Sequence, residues 1–181
     1  LMDPETGAII SLISRPSFNP EIFLRTINND EWQKLQGQRC FLNRALTSEY
    51  PPASLFKLVT MAHAIDYKIA TLESKWFCSG SIEYAGRTIY CHRKIGHGLV
   101  NFKEALERSC NIPFYDIGKR IKIDNLATYA RELGFGSKTG IIFPESSGLV
   151  PTSEWKKRVK GERWWPGETL SCAIGQSFLL V

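Results

Sequence analysis

The chain has 181 residues, of which 43% are hydrophobic, and it carries a formal net charge of +5. This length and composition suit one globular domain or a large part of one. No apolar run approaches the ~18 residues that a membrane-spanning helix needs. There is also no signal peptide, and both ends of the sequence look cut, so the missing anchor says little about location.

Local patterns predict a strand, then a hairpin and several helices, an order typical of an α+β arrangement. A β-branched and apolar run predicts the first strand, and the spacing of Asn101 and Glu104 fits a capping box. In chain order the predictions are a strand over 8–14, a short helix capped by Asn29, a central helix over 54–68, a hairpin over 81–91, helices after Asn101, over 112–120 and after Asp124, an extended piece over 141–144, a last polar helix capped by Thr152, and a strand or helix start over 169–174.

The central helix is the stretch around which the chain is organised. Pro51 and Pro52 favour extended backbone before it, and the apolar run that follows predicts a buried helix. Ser54 falls in its first turn, with Lys57 one turn later on the same face. A serine hydroxyl becomes a useful nucleophile when a base takes its proton, and a lysine whose pKa is lowered by burial can be that base. This S-x-x-K pair is therefore a candidate nucleophile and base.

The motif alone is weak evidence. Ser153 and Lys156 form a second S-x-x-K, which we reject because its charged neighbours look like a solvated helix face. For Ser54 the structural alternative is a helix N-cap, with the Lys57 side chain extending to solvent.

A second motif, S-x-N, places Ser109 and Asn111 on a turn between two predicted helices. There the serine could relay a proton to a leaving amine, and the asparagine could hold a substrate carbonyl. The structural alternative is a turn that merely ends a helix. The same pattern at 17–19 lies in an open loop.

With both motifs in order, the chain resembles the class B penicillin-binding proteins, and most closely their elongation-type branch, penicillin-binding protein 2. The resemblance covers essentially the whole chain. Beyond the two motifs it rests on residues 2–9, 14–20, 43–45, 96–98, 133–136, 139–141, 151–156 and 175–176.

The resemblance implies part of a penicillin-binding-protein or serine β-lactamase-like fold, with a helical subdomain and part of an antiparallel sheet. It implies one transpeptidase domain over 1–181, truncated at both ends. The activity would be D,D-transpeptidation of peptidoglycan stem peptides ending in D-Ala-D-Ala, with Ser54 as nucleophile, Lys57 as acylation base and Asn111 binding substrate. β-Lactams would acylate Ser54. Catalysis would need no cofactor, the partner would be a membrane glycosyltransferase of the elongation machinery, and the site would face the periplasm at the inner membrane.

Three departures from the family pattern stand out. Ala53 and Ser177 occupy positions that are usually glycine, and the K-S/T-G element expected beyond 175–176 is absent. Residues 138–140 read K-T-G, but they follow a helix stop and precede the glycine–glutamine landmark, so we do not assign them as that element. We therefore expect this chain alone to be a poor enzyme.

A metal site is the remaining candidate. Cys78, Cys91, His97 and Cys110 supply three thiolates and an imidazole, a donor set typical of structural zinc. The resemblance supports it, since some elongation-type relatives hold a metal at matching positions with a mixture of carboxylate, histidine and cysteine. A Cys78–Cys91 disulfide and buried free thiols remain the alternatives.

Two other functions stay open beside the transpeptidase. One is a β-lactam-hydrolysing or β-lactam-sensing serine acyl enzyme on the same scaffold. The other is a non-catalytic, zinc-stabilised binding module. The basic residues of 156–163 are flanked by Trp155, Trp164 and Trp165, but we interpret them as a solvated loop and predict no nucleic-acid partner.

Overall fold

The computed structural model describes all 181 residues, which form two compact units. The first unit consists of Leu1–Glu49 and Lys138–Ser146. The second consists of Tyr50–Ser137 and Ser147–Val181 and contains every residue of the two candidate motifs. None of the helices is both long and apolar enough to cross a membrane.

The first unit holds a short 3-10 helix at Pro20–Leu24 and helix α1 at Asn29–Gly37. Asn28 rather than Asn29 is the N-cap of α1, and it forms a capping box with Glu31. The strand predicted over 8–14 is wrong. The pairing of this segment amounts to one bridge, between Met2 and Ile9.

The second unit contains the other helices and all the strands. They are, in chain order, a 3-10 helix at Ala53–Phe56, α2 (Lys57–Asp66), β1 (Lys75–Cys78), β2 (Ser81–Tyr84), β3 (Arg87–Tyr90), β4 (Gly98–Asn101), α3 (Phe102–Glu107), α4 (Ile112–Arg120), α5 (Ile123–Glu132), α6 (Ser153–Lys160) and α7 (Pro166–Cys172). Strands β1 and β4 pair antiparallel, and β2 and β3 form a separate antiparallel hairpin. This mixture of helices and short antiparallel pairs confirms the predicted α+β class.

The core of the second unit lies between α2, α4, α5 and α7. Helices α4 and α7 pack closely because Gly118 has no side chain, and a Cβ there would stand 3.1 Å from the Cα of Leu170. This packing positions α4, and the S-x-N turn leads directly into the first residue of this helix.

Local signals predicted most of these helices. The capping box of Asn101, the bounds of α4 and the Thr152 cap are confirmed. The Asp124 cap is wrong, since α5 begins at Ile123 and the Asp124 carboxylate accepts hydrogen bonds from Ser153 instead. The segment 169–174 is largely helical and belongs to α7, so the helix capped by Thr152 is not the last.

Candidate active site

Ser54 lies in the 3-10 helix that leads into α2, and its side chain is exposed. Ala53, just before it, has a φ of 49°, a left-handed conformation that costs a non-glycine residue free energy. The Ala53 N–H donates a hydrogen bond of 2.9 Å to the carbonyl of Gly175, which holds this unusual backbone in place. Ser54 caps no helix, so the N-cap interpretation is wrong.

Lys57, the first residue of α2, is buried with 1% of its surface exposed. Its ammonium group donates hydrogen bonds to the Ser109 carbonyl at 2.7 Å, to Ser109 Oγ at 3.1 Å and to Asn111 Oδ1 at 2.7 Å. The lysine therefore does not extend to solvent. Burial lowers the pKa of Lys57 to about 8, although negative charge on Cys91 and Cys110 acts in the opposite direction.

Ser109 stands between these two groups. Its Oγ donates a 2.8 Å hydrogen bond to Ser54 Oγ and accepts one from Lys57, so the path from hydroxyl to amine runs through Ser109. Ser109 also has a φ of 52°, a sparsely populated conformation that often occurs at functional sites. The turn between α3 and α4 thus positions the Ser109 hydroxyl between Ser54 and Lys57, an arrangement that the S-x-x-K spacing alone does not predict.

Asn111 completes the cluster at the N-cap position of α4. Its Oδ1 accepts from Lys57, and its Nδ2 donates to Tyr115 Oη at 3.4 Å. Tyr115 in turn donates to the Tyr90 carbonyl on β3 at 3.4 Å. Sequence reasoning missed Tyr115, whose position one helical turn after Asn111 was the available signal.

The four predicted metal ligands also come together. The donor atoms of Cys78, Cys91, His97 and Cys110 all lie within 4.8 Å of one another. His97 Nδ1 is 3.5 Å from Cys78 Sγ and 3.6 Å from Cys91 Sγ, and the sulfurs of Cys91 and Cys110 are 4.0 Å apart. Around a tetrahedral zinc, sulfurs stand about 3.8 Å apart and a sulfur and an imidazole nitrogen about 3.5 Å. The donor set and its spacing therefore fit zinc.

The surroundings of the cluster favour a charged sulfur at Cys91. Burial opposes ionisation, but hydrogen bonds to this sulfur from the backbone of Asn111 and Arg93 help to hold the pKa of Cys91 below its usual value. The Asn111 N–H lies 3.4 Å from Cys91 Sγ. Burial raises the pKa of Cys110. All five cysteines of the chain are free thiols in this structure, including Cys78 and Cys91.

The imidazole of His97 approaches the cluster from a tight loop. Gly96 has a φ of 82°, and a Cβ there would stand 2.2 Å from the Cys78 carbonyl. Only glycine fits this close approach, which brings the loop against the end of β1. Burial and nearby cations lower the pKa of His97, favouring the neutral ring that a metal requires.

The two rejected motifs have other environments. Lys156 is not part of a solvated face, as we had expected, but is 2% exposed and pairs with Glu162 at 3.3 Å and Glu168 at 2.5 Å. The hydroxyl of Ser153 is bound to Asp124. In the K-T-G segment, Thr139 donates to Glu145 within an exposed loop. Neither motif assembles a nucleophile beside a base.

Comparison with known proteins identifies the fold. A family model of the penicillin binding protein transpeptidase domain matches residues 1–181. The chain belongs to this family. The predicted resemblance is thereby confirmed, and so is the partial transpeptidase fold.

Individual members of the transpeptidase family agree with this assignment. The peptidoglycan D,D-transpeptidase MrdA of Acinetobacter baumannii is 37% identical over 180 residues, covering 97% of this chain and 27% of the relative. A structure of Pseudomonas aeruginosa PBP2 in complex with WCK 5153 has a TM-score of 0.89 and 31% identity, covering 99% of this chain and 42% of that one. A complex of PBP2 and MreC from Helicobacter pylori gives a TM-score of 0.87 and 35% identity, covering 92% of this chain and 32% of that one. The chain therefore spans between a quarter and a half of these relatives.

Proposed function

We propose that this chain carries the acylation machinery of a peptidoglycan D,D-transpeptidase, with Ser54 as the nucleophile. One observation carries the proposal: hydrogen bonds connect the exposed hydroxyl of Ser54, through the hydroxyl of Ser109, to the buried amine of Lys57. A buried amine with a lowered pKa can take a proton near neutral pH, and an exposed hydroxyl can meet a substrate. The name of the Acinetobacter relative, a D,D-transpeptidase, supports the same activity.

The reaction follows from this path. With Lys57 neutral, Ser54 passes its proton to Ser109 Oγ as Ser109 passes its own proton to Lys57. The Ser54 oxygen attacks the carbonyl of the penultimate D-alanine, and the tetrahedral intermediate collapses to an ester. The amide bond breaks, and the proton returns through Ser109 to the departing terminal D-alanine. An acceptor amine then attacks the ester and frees Ser54.

Asn111 binds the substrate in this proposal. Its Oδ1 is held by Lys57, while its Nδ2 makes only a long contact of 3.4 Å with Tyr115. A donor that is weakly engaged can turn to a substrate carbonyl at low cost. A β-lactam would follow the same first step, but its broken amide stays tethered in the opened ring, so no leaving group departs.

The setting of the activity belongs to the proposal too. The site faces the periplasm and works with a membrane glycosyltransferase of the elongation machinery, on stem peptides and with β-lactams as inhibitors. The Helicobacter PBP2, in complex with MreC, and a 35% identical relative solved as part of a peptidoglycan synthase complex support an assembly of this kind. The single domain over 1–181 and the poor activity of this chain alone stay predictions.

Fluorescent penicillin labelling tests the proposal, using the longest natural protein that contains these residues. We expect the label on Ser54, lost in Ser54→Ala and in Lys57→Met, and released slowly. The Ser153→Ala variant is the matched control, because Ser153 also precedes a buried lysine by three residues but bonds to Asp124. A label on another residue would overturn Ser54 as the nucleophile, and the absence of any label would favour a binding module. Rapid release would favour a hydrolase.

The proposal includes a structural zinc ion held by Cys78, Cys91, His97 and Cys110. With four protein ligands the ion has no open position, so it would act by fixing the turn and not on substrate. Protein purified without added zinc should contain about one equivalent by mass spectrometry. Cys78→Ser should reduce this sharply, whereas Cys40→Ser, a buried thiol outside the cluster, should not. Metal-free protein with a Cys78–Cys91 disulfide would exclude the ion.

A further inference from the structure

Tyr115 is a buried tyrosine beside the candidate active site that the proposed reaction does not use. It lies on α4, one helical turn after Asn111, and only 5% of its surface is exposed. A buried phenol needs partners for its hydroxyl, which can donate one hydrogen bond and can also accept. The partners of this hydroxyl are the Asn111 amide and the Tyr90 carbonyl, both at 3.4 Å.

The register of the β2–β3 hairpin explains why the Tyr115 hydroxyl donates to Tyr90. Hydrogen-bonded and non-hydrogen-bonded residue pairs alternate along an antiparallel hairpin. The Cys91 N–H donates to the Gly80 carbonyl, so the neighbouring pair, which contains Tyr90, is a non-hydrogen-bonded one. The Tyr90 carbonyl therefore points away from β2, and it can only accept. This commits the phenol proton to the carbonyl and leaves the phenol oxygen as an acceptor.

This acceptor selects one of the two orientations of the Asn111 amide. The amide nitrogen must face the phenol oxygen of Tyr115, and the amide oxygen then faces Lys57, which is the arrangement in the structure. The reversed amide would place two acceptors, Oδ1 and Oη, against each other in a buried site, at a cost in free energy. It would also present an oxygen, instead of an N–H, to a substrate carbonyl.

Lys57 alone does not keep this orientation throughout the proposed reaction. A charged ammonium only donates, so it holds Asn111 Oδ1, at 2.7 Å, and excludes the amide nitrogen. The reaction requires neutral Lys57, whose lone pair can accept a hydrogen bond from that nitrogen. The phenol of Tyr115 opposes the reversal whatever the charge on the lysine, because the Tyr90 carbonyl keeps the phenol oxygen an acceptor.

We propose that Tyr115 is a positioning residue that fixes the Asn111 amide with an N–H directed at the substrate carbonyl. This role deepens the proposed function and rests on it, since it takes Ser54 as the nucleophile and Asn111 as the substrate-binding residue. It also connects the β2–β3 hairpin to the site, because the Tyr90 carbonyl sets the direction of both hydrogen bonds.

Acylation kinetics of Tyr115→Phe, in the longest natural protein that contains these residues, test this role. The variant keeps the ring and loses only the hydroxyl, so both amide orientations become available. Acylation by a penicillin with an acylamino side chain should be about tenfold less efficient. Acylation by a carbapenem with a hydroxyethyl side chain should change by less than about twofold, because a hydroxyl can pair with either end of an amide. Tyr129→Phe is the matched control: it loses a phenol that donates to Asp66 at 2.5 Å, and it should be acylated normally by both compounds.

A double-mutant cycle separates positioning from a structural role. In the Asn111→Ala background there is no amide to orient, so adding Tyr115→Phe should not slow penicillin acylation further. A hydroxyl that merely held the hairpin through the Tyr90 carbonyl would slow acylation by the same factor in both backgrounds. Additive effects of the two substitutions, or an equal loss with the penicillin and the carbapenem, would overturn the positioning role.

The outcomes also distinguish this role from the proposed function. If Ser54 is labelled by penicillin but Tyr115→Phe is acylated as fast as Tyr129→Phe, the positioning role is wrong and the proposed function stands. If Ser54 is not labelled, the proposed function is wrong, and NMR of protein with labelled asparagine still tests the amide. The side-chain N–H protons of Asn111 should show an NOE to the ring of Tyr115, weakened in Tyr115→Phe. The absence of this NOE in the unmodified protein would overturn the positioning role by itself.

Discussion

Replacing Gly175 by alanine should displace Ser54, the proposed nucleophile, without touching it. The backbone of Gly175 lies against Ala53, and a Cβ at position 175 would stand 2.0 Å from the Ala53 carbonyl oxygen and 2.7 Å from its carbonyl carbon. A carbon and an oxygen that are not bonded rest more than 3 Å apart, so one backbone must move by about 1 Å. Ala53 immediately precedes Ser54, and therefore the hydroxyl moves with it.

Two free-energy terms set the size of the effect. Gly175 has a φ of 75°, so an alanine there costs about 1 kcal/mol in backbone conformation. Forcing a methyl group against packed backbone costs about 1–3 kcal/mol more. We expect the free energy of unfolding to fall by about 2–4 kcal/mol and the acylation rate by about 100-fold, the usual consequence of a 1 Å misplacement.

Gly161→Ala is the matched control for this prediction. Gly161 has a φ of 70°, yet a Cβ there would meet nothing within 4 Å. This variant should lose only the conformational term, about 1 kcal/mol, and keep its acylation rate. Denaturant unfolding and stopped-flow acylation by a chromogenic β-lactam measure the two quantities. The reasoning is refuted if Gly175→Ala acylates as fast as Gly161→Ala.

Three further predictions concern the titratable and hydroxyl groups. Because the pKa of Lys57 is lowered to about 8 and the base must be neutral, acylation should rise about tenfold per pH unit below pH 8 and level off above it; a flat profile would exclude Lys57 as the base. Ser109→Ala and Ser109→Gly should both slow acylation by about 100-fold, because both remove the hydroxyl that links Ser54 to Lys57. If only the glycine variant acylated at the normal rate, the slow rate of the alanine variant would instead be due to backbone strain at a φ of 52°. His63 is buried with both ring nitrogens unpartnered, so His63→Phe should raise the free energy of unfolding by about 1 kcal/mol at pH 8. Burial lowers the pKa of His63, so the folded state binds this proton less readily than the unfolded state does, and the free energy of unfolding falls as the pH drops below 6.5. His63→Phe should lose less stability between pH 8 and pH 5.5 than the unmodified protein. An equal loss in both proteins would contradict this reasoning.

Elements with local signals could be predicted closely from the sequence. The α3 capping box and the bounds of α4 depend on residues within a few positions of each other, and they are confirmed. The strand over 8–14 is wrong because a strand also needs a paired neighbour, and an apolar pattern does not reveal that the pairing is limited to one bridge between Met2 and Ile9. The predicted continuous helix from Ser54 begins instead as a 3-10 turn, where Ala53 adopts its left-handed conformation.

Contacts between segments that are far apart in the sequence determine the features of the site that local sequence patterns did not predict. The S-x-x-K spacing suggested that Ser54 and Lys57 interact directly. In the structure the Ser109 hydroxyl lies between them, and Ser109 is 55 residues from Ser54, so a local motif could not reveal it. The Lys156 cluster looked solvated because its acidic partner Glu168 comes 12 residues later. A run of charged residues predicts a solvated helix face, but it does not reveal whether a later segment of the chain packs against that face and buries it.

The proposed metal ligands and the proposed proton path share one short piece of backbone. Cys110 lies between Ser109 and Asn111, and the Asn111 N–H donates to the sulfur of Cys91. A tight turn with a positive φ at Ser109 would relax in several directions if nothing held it. Because Cys110 is fully buried and its sulfur is packed with the other ligands, any rearrangement of the thiols must move Ser109 or Asn111 through a single peptide unit. If Ser54 is the nucleophile, as we propose, this cluster would set the positions of the Ser109 hydroxyl and the Asn111 amide, and with them the geometry of acylation.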